Sequence, residues 1–311
     1  SLYIAQLWSE RGRLFWFIGS DFMAYWGSGY IANQWGYSQI YNLELIEKAQ
    51  HLMLFGEYLP NVYFHPLPMA YLSIFVLPFQ IFALFPPAIS FYLWTLLNFL
   101  AGVLYIIYFT KKIAHPDKNF ILFFFVISFP FFQSLFWGQV NIFLMIFLGE
   151  FIRAMQSNKE IRAGFWISAL LLKPQTLIII LPALLLTKRI KPLIGAALGA
   201  IILMGTSFLL IGAEGVVELS KLWFGYANNI VTSGPQSMGN WRMIGTFINH
   251  FTETNYGNLF TLFASAATIL WALYLWLFQN PKTNFGFLLI MLATFAATGL
   301  ATWHSHAHMA V

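Results

Sequence analysis

The sequence contains no cysteine, and only 9% of its 311 residues are charged. The absence of cysteine excludes disulfide bonds and thiolate metal sites. A soluble domain carries roughly 25% charged residues, and a water-soluble protein with so few would expose large apolar patches. Hydrophobic residues instead make up 59% of the chain, and the mean hydropathy is +0.69. This composition indicates a protein that resides in a lipid bilayer.

Long stretches of the sequence have no charged residue at all. They cover residues 66–110, 119–149, 192–213, 254–281 and 283–303. A membrane-spanning helix needs about 20 apolar residues, and a helix satisfies its own backbone hydrogen bonds in lipid. We therefore predict an all-α, polytopic transmembrane protein that crosses a membrane several times.

The apolar pattern predicts about eight helical segments. They lie at 66–85, 88–109, 119–136, 140–156, 163–187, 192–212, 258–279 and 284–303. We assign these segments to a transmembrane domain, residues 66–311, that includes an extracytoplasmic loop at 213–257. Residues 1–65 are more polar and rich in aromatic residues, which is typical of a loop at headgroup level. Within this first extracytoplasmic loop, residues 43–55 predict a short amphipathic helix on the membrane surface.

Both ends of the sequence indicate a longer protein. The chain opens with Ser1, and the first eight residues are too few to cross a bilayer. It stops at Val311 inside a stretch that is still apolar. We expect further helices on both sides, so the transmembrane domain is incomplete at both ends.

Lysine and arginine residues gather in short segments between the apolar stretches. The groups are Lys111, Lys112 and Lys118; Arg153, Lys159 and Arg162; Lys188, Arg189 and Lys191; and Lys282, which stands nearly alone. Cytoplasmic loops of membrane proteins are enriched in these residues, so the groups predict four cytoplasmic turns. The net charge of +5 includes no basic run, which gives no reason to expect a nucleic-acid partner.

Counting crossings from these turns predicts which residues share the extracytoplasmic side. They are Gln139, Asn141, Lys173, the loop 213–257 and the terminal histidines. The loop 1–65 reaches the same side only if one of the next two apolar segments does not cross fully. Segment 66–85 is the better candidate, because its three prolines disfavour a regular helix. A re-entrant backbone of this kind must be covered by protein.

Two charged residues are set in unusually apolar surroundings. Asp21 lies among aromatic residues in IGSDFMAYW, where partial desolvation would raise the pKa of its carboxyl and make it a better base near neutral pH. The alternative is a helix cap, since Ser20 and Asp21 both favour that role. Lys173 is the only charged residue between Ala163 and Thr187. An ionisable group inside a membrane segment points to function, and this cation suits a phosphate; the alternative is a snorkelling lysine at a helix break.

Other polar residues could bind a sugar or phosphate. Gln139 and Asn141 have amides that either hydrogen-bond a ligand or join neighbouring helices. The planar guanidinium of Arg242 can donate two parallel hydrogen bonds to phosphate oxygens. The alternative is that Arg242 is a solvated loop residue.

Three histidines close the sequence at His304, His306 and His308, and His65 is a lesser candidate. Residues 304 and 308 would share a helix face, but no nearby carboxylate completes a metal site. Phosphate binding or proton shuttling is the better interpretation, and interfacial capping is the alternative. We expect no metal and no cofactor.

No phosphate-binding loop, dinucleotide fingerprint or zinc-protease motif occurs in the sequence. That argues against an ATPase, a dinucleotide-dependent enzyme and a zinc protease. A polytopic transporter or lipid flippase remains the main alternative to an enzyme, because it would also have broken helices and a membrane lysine. Paired halves with matching interruptions, which are typical of transporters, are not detectable.

Taken in order, the short motifs resemble those of glycosyltransferase family 87 of the GT-C superfamily. The motifs are DFMAYW (21–26), YFHPLP (63–68), GQVN (138–141), KPQ (173–175), NWR (240–242) and WHSH (303–306). That family includes mannosyltransferases of phosphatidylinositol mannoside synthesis, which use polyprenyl-phosphate mannose. GQVN followed some thirty residues later by KPQ is the most specific part of the resemblance.

This resemblance implies a GT-C fold with its active site on the extracytoplasmic face. The donor would be a polyprenyl-phosphate sugar, and the acceptor a lipid or glycan. Asp21 matches the first-loop aspartate that serves as catalytic base. Lys173, Arg242 and the histidines at 304 and 306 would lie near the donor phosphate. We expect a metal-independent hexosyltransferase that inverts the anomeric carbon.

Overall fold

The computed structural model describes residues 18–60, 66–112, 118–228, 239–279 and 283–302. Within these ranges the chain forms thirteen α-helices and no strand, which confirms the predicted all-α class. In chain order they are α1 (Ser20–Trp35), α2 (Leu43–Phe55), α3 (Leu77–Phe82), α4 (Pro87–Lys112), α5 (Lys118–Ile127), α6 (Phe129–Trp137), α7 (Asn141–Gln156), α8 (Glu160–Ser168), α9 (Ile180–Leu186), α10 (Ile190–Asn228), α11 (Trp241–Thr252), α12 (Tyr256–Phe278) and α13 (Asn284–Ala301). Short 3-10 helices cover Tyr37–Gln39, Ser73–Val76, Ala169–Leu172 and Pro174–Leu177.

Among the described residues, three helices are long and apolar enough to cross a membrane. They are α4 over Pro87–Lys111, α10 over Ile190–Phe224 and α12 over Tyr256–Phe278. The α5–α6 pair adds a fourth candidate span, bent by 49°. Large apolar side chains on these helices are exposed, for example Leu209 at 88% and Phe263 at 69%. Apolar surface on this scale requires lipid, and the predicted polytopic membrane protein is confirmed.

Three of the predicted apolar segments are interrupted in the structure. Residues 66–85 contain only one 3-10 turn and the short α3, so they do not form one continuous helix. Segment 119–136 bends at Ser128, where the backbone is extended and the side chain caps α6 by accepting the Phe131 N–H. Segment 163–187 breaks around Lys173, where two 3-10 helices meet. These interruptions follow from proline and capping residues, which hydropathy alone does not register.

Two of the more polar regions are more helical than predicted. Residues 213–257 were expected to form a loop, but α10 continues through a kink at Gly212 as far as Asn228, and α11 follows. Helix α1 lies within the predicted first loop, and the predicted helix at 43–55 is present as α2. The assignment of 1–65 and 66–311 to separate domains stays a prediction.

The described chain divides into two compact units. Unit 1 comprises residues 1–143 and 202–232. Its core is α1, which is buried on nearly all sides and packs against α2 and α3. An aromatic cluster surrounds the start of α1: the Phe22 ring lies edge-on to Phe91 at 5.6 Å and near Trp94 at 6.5 Å. The first turn of α1 is therefore held in a rigid aromatic setting.

Unit 2 comprises residues 144–201 and 233–311. Its helices α11 and α12 pack closely at Gly245, where an added Cβ would lie 2.4 Å from the carbonyl oxygen of Gly257. Helix α12 also packs on α13, and the Trp276 indole N–H donates to the Thr294 hydroxyl at 2.8 Å. These contacts fix the end of α13 close to the start of α11, where Asn240 donates to the Thr302 carbonyl.

An ion-pair network joins the two helices on either side of one predicted cytoplasmic turn, between α7 and α8. Glu150, which is buried on α7, pairs with Arg153 one turn along and with Arg162 on α8 at 3.8 Å. Buried charges need such partners, because desolvation of a lone carboxylate is costly. The basic residues here thus tie two helices together, while the side of the membrane on which they lie stays a prediction.

Candidate functional site

Asp21 lies in the first turn of α1. The N-cap of this helix is Gly19, which has left-handed backbone angles (φ 73°, ψ 24°) and no side-chain capping bond. The Gly19 N–H donates instead to the carbonyl of Phe136 at 2.8 Å, which ties α1 to the end of α6. Gly19, and neither Ser20 nor Asp21, is therefore the N-cap residue of α1. The Asp21 carboxylate lies where the helix dipole favours negative charge.

Gln139 brings an amide from a distant part of the sequence to this carboxylate. Its Nε2 donates to Oδ2 of Asp21, across a separation of 118 residues. Its Oε1 accepts a hydrogen bond from the Tyr25 hydroxyl at 3.3 Å. The Gln139 residue is 6% exposed. Asp21 and Gln139, two of the predicted site residues, are thus joined within unit 1.

The backbone around Gln139 is fixed by a left-handed glycine turn. Gly138 ends α6 with φ 70° and ψ 34°, a conformation that other residues adopt at a cost. A Cβ there would also lie 2.7 Å from the Cβ of Phe22. The Gly138 carbonyl accepts the Trp94 indole N–H at 2.9 Å, and the Gln139 N–H donates to Ser134 at 2.8 Å. The turn therefore aims the next side chain in one direction.

Two tyrosines complete the surroundings of Asp21. Tyr25 stacks on Phe79 at 5.0 Å and on Tyr71 at 6.1 Å. Burial raises the pKa of the Tyr25 hydroxyl well above its usual value, and the charges of Tyr71 and Asp21 raise it further. Burial likewise raises the pKa of Tyr71, a hydrogen bond from Tyr25 lowers it in part, and the charge of Asp21 raises it further. Both phenols remain neutral at physiological pH and serve as hydrogen-bonding groups.

The sequence prediction named neither tyrosine as a site residue, although one signal was available. Tyr25 follows Asp21 by four residues, so the two lie on the same face of a helix. That spacing becomes informative only once residues 20–35 are assigned to a helix. Tyr71 comes from a separate segment, and no spacing in the sequence relates it to Asp21.

Lys173 lies in unit 2 at a junction between two 3-10 helices. Its backbone is extended (φ −137°, ψ 83°), because the following Pro174 disfavours the helical conformation at the preceding residue. Its carbonyl accepts the Thr176 N–H at 2.9 Å and the Thr176 hydroxyl at 2.7 Å. The lysine is only 4% exposed. It is a buried lysine at a helix break, and its low exposure does not fit a side chain that snorkels to water.

Arg242 is the second residue of α11, also in unit 2. Asn240 caps this helix by accepting the Met243 N–H at 3.3 Å, and its Nδ2 donates to the Thr302 carbonyl at 2.8 Å. The Trp241 indole N–H donates to the Thr268 hydroxyl on α12 at 2.8 Å. Partial burial lowers the pKa of the Arg242 guanidinium, which remains charged in any case. Arg242 is therefore a cation on a firmly anchored helix end.

The remaining predicted residues are Asn141, which lies beside Gln139, and three histidines. Asn141 begins α7, and its amide donates to the Ser134 hydroxyl at 3.3 Å, so its observed contact joins helix ends. His65, His304 and His306 lie outside the described residues. Any role for these four residues in binding a donor stays a prediction.

Comparison with known proteins gives one match. Residues 70–302 match the sequence model of glycosyltransferase family 87. The matched range covers most of the chain, and it includes the GQVN, KPQ and NWR motifs, whereas Asp21 and His304 lie outside it. No curated protein and no solved structure matches the chain.

Proposed function

The chain belongs to glycosyltransferase family 87, and from that premise we propose that it moves a hexose from a polyprenyl-phosphate donor. The proposed sugar is mannose, the acceptor is a lipid or glycan, and transfer takes place on the extracytoplasmic side. Membership in the family makes the chain a membrane glycosyltransferase. A transporter or lipid flippase, the alternative that the sequence left open, has no further support.

The observation that carries this proposal is the setting of Asp21. A carboxylate in the first turn of a buried helix, held by the Gln139 amide, is suited to act as a base. The acceptor hydroxyl must lose its proton during transfer, and a positioned side chain that takes it contributes roughly 10²–10⁴-fold to the rate. Asp21 is the residue to which we assign this role.

In the proposed reaction the acceptor oxygen forms a bond to the anomeric carbon while Asp21 takes its proton. The bond between that carbon and the donor phosphate oxygen breaks, and polyprenyl phosphate leaves with the electron pair. Attack opposite the leaving group inverts the anomeric configuration. The enzyme is accordingly an inverting transferase of the GT-C type.

Cations then stabilise the negative charge that grows on the departing phosphate. Lys173 and Arg242 are the described candidates, and the histidines at 65, 304 and 306 are assigned to the same task. A fixed cation in a water-poor site stabilises a transition-state charge strongly, because it needs no reorganisation. With cations already supplied by the protein, the proposed mechanism calls for no metal.

The donor class is tested by supplying labelled sugars to the purified protein in nanodiscs. Polyprenyl-phosphate mannose should label a lipid or glycan acceptor, whereas a nucleotide-linked mannose should not. Chirality of the product at the anomeric carbon, read by NMR, should be opposite to that of the donor. Transfer from the nucleotide sugar alone would refute the lipid-linked donor.

A further inference from the structure

We propose that Gln139 is a positioning residue for Asp21 and that Tyr25 sets the orientation of the Gln139 amide. The inference rests on the proposed role of Asp21 as a base. It replaces the sequence-based expectation that Gln139 binds the donor sugar or phosphate. In this arrangement Gln139 acts on the reaction only through the carboxylate.

The hydrogen-bond directions follow from the chemistry of the three groups. An ionised carboxylate only accepts, whereas an amide has one end that donates and one that accepts. Because the carboxylate only accepts, the donor end of the amide faces Oδ2 of Asp21, and its Oε1 faces the Tyr25 hydroxyl at 3.3 Å, which also lies within hydrogen-bond reach of Tyr71. Because burial keeps the pKa of Tyr25 high, the phenol retains the proton that this chain of bonds requires.

Gln139 is suited to positioning because its own backbone has little freedom. The preceding Gly138 adopts a left-handed turn, and its carbonyl is bound by Trp94. The Gln139 N–H is bound to the carbonyl of Ser134. A fixed side chain that donates to one carboxylate oxygen restricts rotation of the carboxyl group. That restriction keeps Asp21 in the orientation required for proton transfer.

The neutral amide of Gln139 also suits a position beside the Asp21 carboxylate better than a charged side chain would. Donation to the ionised form favours ionisation and counteracts the effect of burial. A carboxylate at the same position would repel Asp21 and raise its pKa. A lysine would form an ion pair and weaken Asp21 as a base. A neutral donor favours the ionised form of Asp21 without adding charge, while the facing groups Tyr25 and Tyr71 stay neutral.

The test compares Gln139→Met and Gln139→Glu with the wild-type enzyme. Methionine keeps the length of the side chain but removes both hydrogen bonds, and kcat should fall roughly 10–100-fold, as for other residues that orient a reactive group. KM for the lipid-linked donor should stay within about twofold of wild type. With Gln139→Glu, the acid limb of the pH profile of kcat should move to higher pH.

Tyr25→Phe removes the bond that orients the amide, together with the side-chain hydrogen bond between Tyr25 and Tyr71. Its loss of kcat should be smaller than that of Gln139→Met, and the two losses should not multiply in the double variant, since both changes act through one chain of bonds. Gln133→Met is the matched control, because it makes the same chemical change in the neighbouring helix α6. It should keep the wild-type kcat.

A separate binding measurement distinguishes failure of this inference from failure of the proposed function. Polyprenyl phosphate without sugar should bind wild-type protein and Gln139→Met with the same Kd. A Kd or KM that rises more than about tenfold with unchanged kcat would show that Gln139 contacts the donor, which overturns the positioning role. Absence of transfer from any polyprenyl-phosphate sugar by the wild type would overturn the proposed function instead.

Discussion

A glycine turn between two apolar helices of unit 1 and a proline break within one apolar segment of unit 2 present polar side chains in different ways. In unit 1 the chain turns at Gly138, and the turn brings a neutral amide to the Asp21 carboxylate. In unit 2 the helix breaks before Pro174, and Lys173 is buried at the break. A left-handed glycine gives a tight turn that aims one side chain, whereas proline removes helical hydrogen bonds over a longer stretch.

Interruptions of the helices let an apolar membrane protein place polar side chains in its interior. A continuous helix presents its side chains to lipid or to neighbouring helices, and its backbone groups are occupied. An interruption of the helix leaves backbone N–H and C=O groups without their intrahelical partners, and it changes the direction in which nearby side chains point. The glycine turn supports the proposed base, and the proline break supports a proposed cation. Variants of each test whether the two interruptions serve one reaction.

Asp21→Asn is expected to have the largest effect. The amide cannot accept the acceptor proton, so kcat should fall by about 10²–10⁴-fold or more. The side chain keeps its size, and the protein should remain folded and inserted in the membrane. Steady-state transfer assays on purified variants, together with thermal unfolding, measure both quantities. Full activity would remove Asp21 from the mechanism.

Lys173→Met should reduce kcat by roughly 10²–10³-fold, because a cation that stabilises the departing phosphate is lost. Lys173→Arg should recover part of the rate. Lys221→Met is the matched control, since its side chain is 67% exposed and pairs only with Glu218 in the described contacts. An equal loss in the control, or none at Lys173, would contradict the assigned role.

Gly138→Ala tests the glycine turn. The left-handed backbone at this position should cost about 1–3 kcal/mol of stability for a residue with a Cβ, and contact with Phe22 adds to that cost. Thermal unfolding in detergent should show a lowered midpoint, and kcat should fall because Gln139 shifts. Gly205→Ala provides the control, because an added Cβ there meets nothing within 4 Å. An unchanged midpoint at Gly138 would show that the turn tolerates a side chain.

Asn240→Ala should have the smallest effect. It removes the cap of α11 and the bond to Thr302, at a cost of about 1 kcal/mol. Asn240→Ser keeps a capping oxygen and separates the two contributions. If the helix end positions Arg242 for the donor, both variants should raise KM for the donor a few-fold. If KM for the donor were the same in both variants as in the wild type, the cap at Asn240 would have no part in donor binding.

Local features of the sequence predicted part of this arrangement. Residues 43–55 carry a cap at Asn42 and one apolar face, and α2 has the predicted bounds. The break at Lys173 follows from a charge and a proline in an apolar segment. Helix α1 was not predicted, because it is buried on nearly all sides and has no polar face to reveal its period.

The contact between Asp21 and Gln139 had no local signal. Periodicity predicts neighbours three or four residues apart, whereas this bond joins residues 118 positions apart. The family resemblance covered both residues by their motifs but assigned a role only to Asp21, and the ligand-binding role considered for Gln139 came from its amide chemistry. Their contact depends on the turn at Gly138 and on the tie between Gly19 and Phe136, which only the folded chain reveals.

The pH dependence of kcat in wild type and Asp21→Asn, measured side by side with saturating lipid-linked donor, tests the central claim most directly. The account predicts that wild-type kcat rises with pH through a single acid limb as Asp21 ionises. The small residual rate of the variant should show no such limb. A variant that keeps both the wild-type limb and the wild-type rate would contradict the assignment of Asp21 as the base.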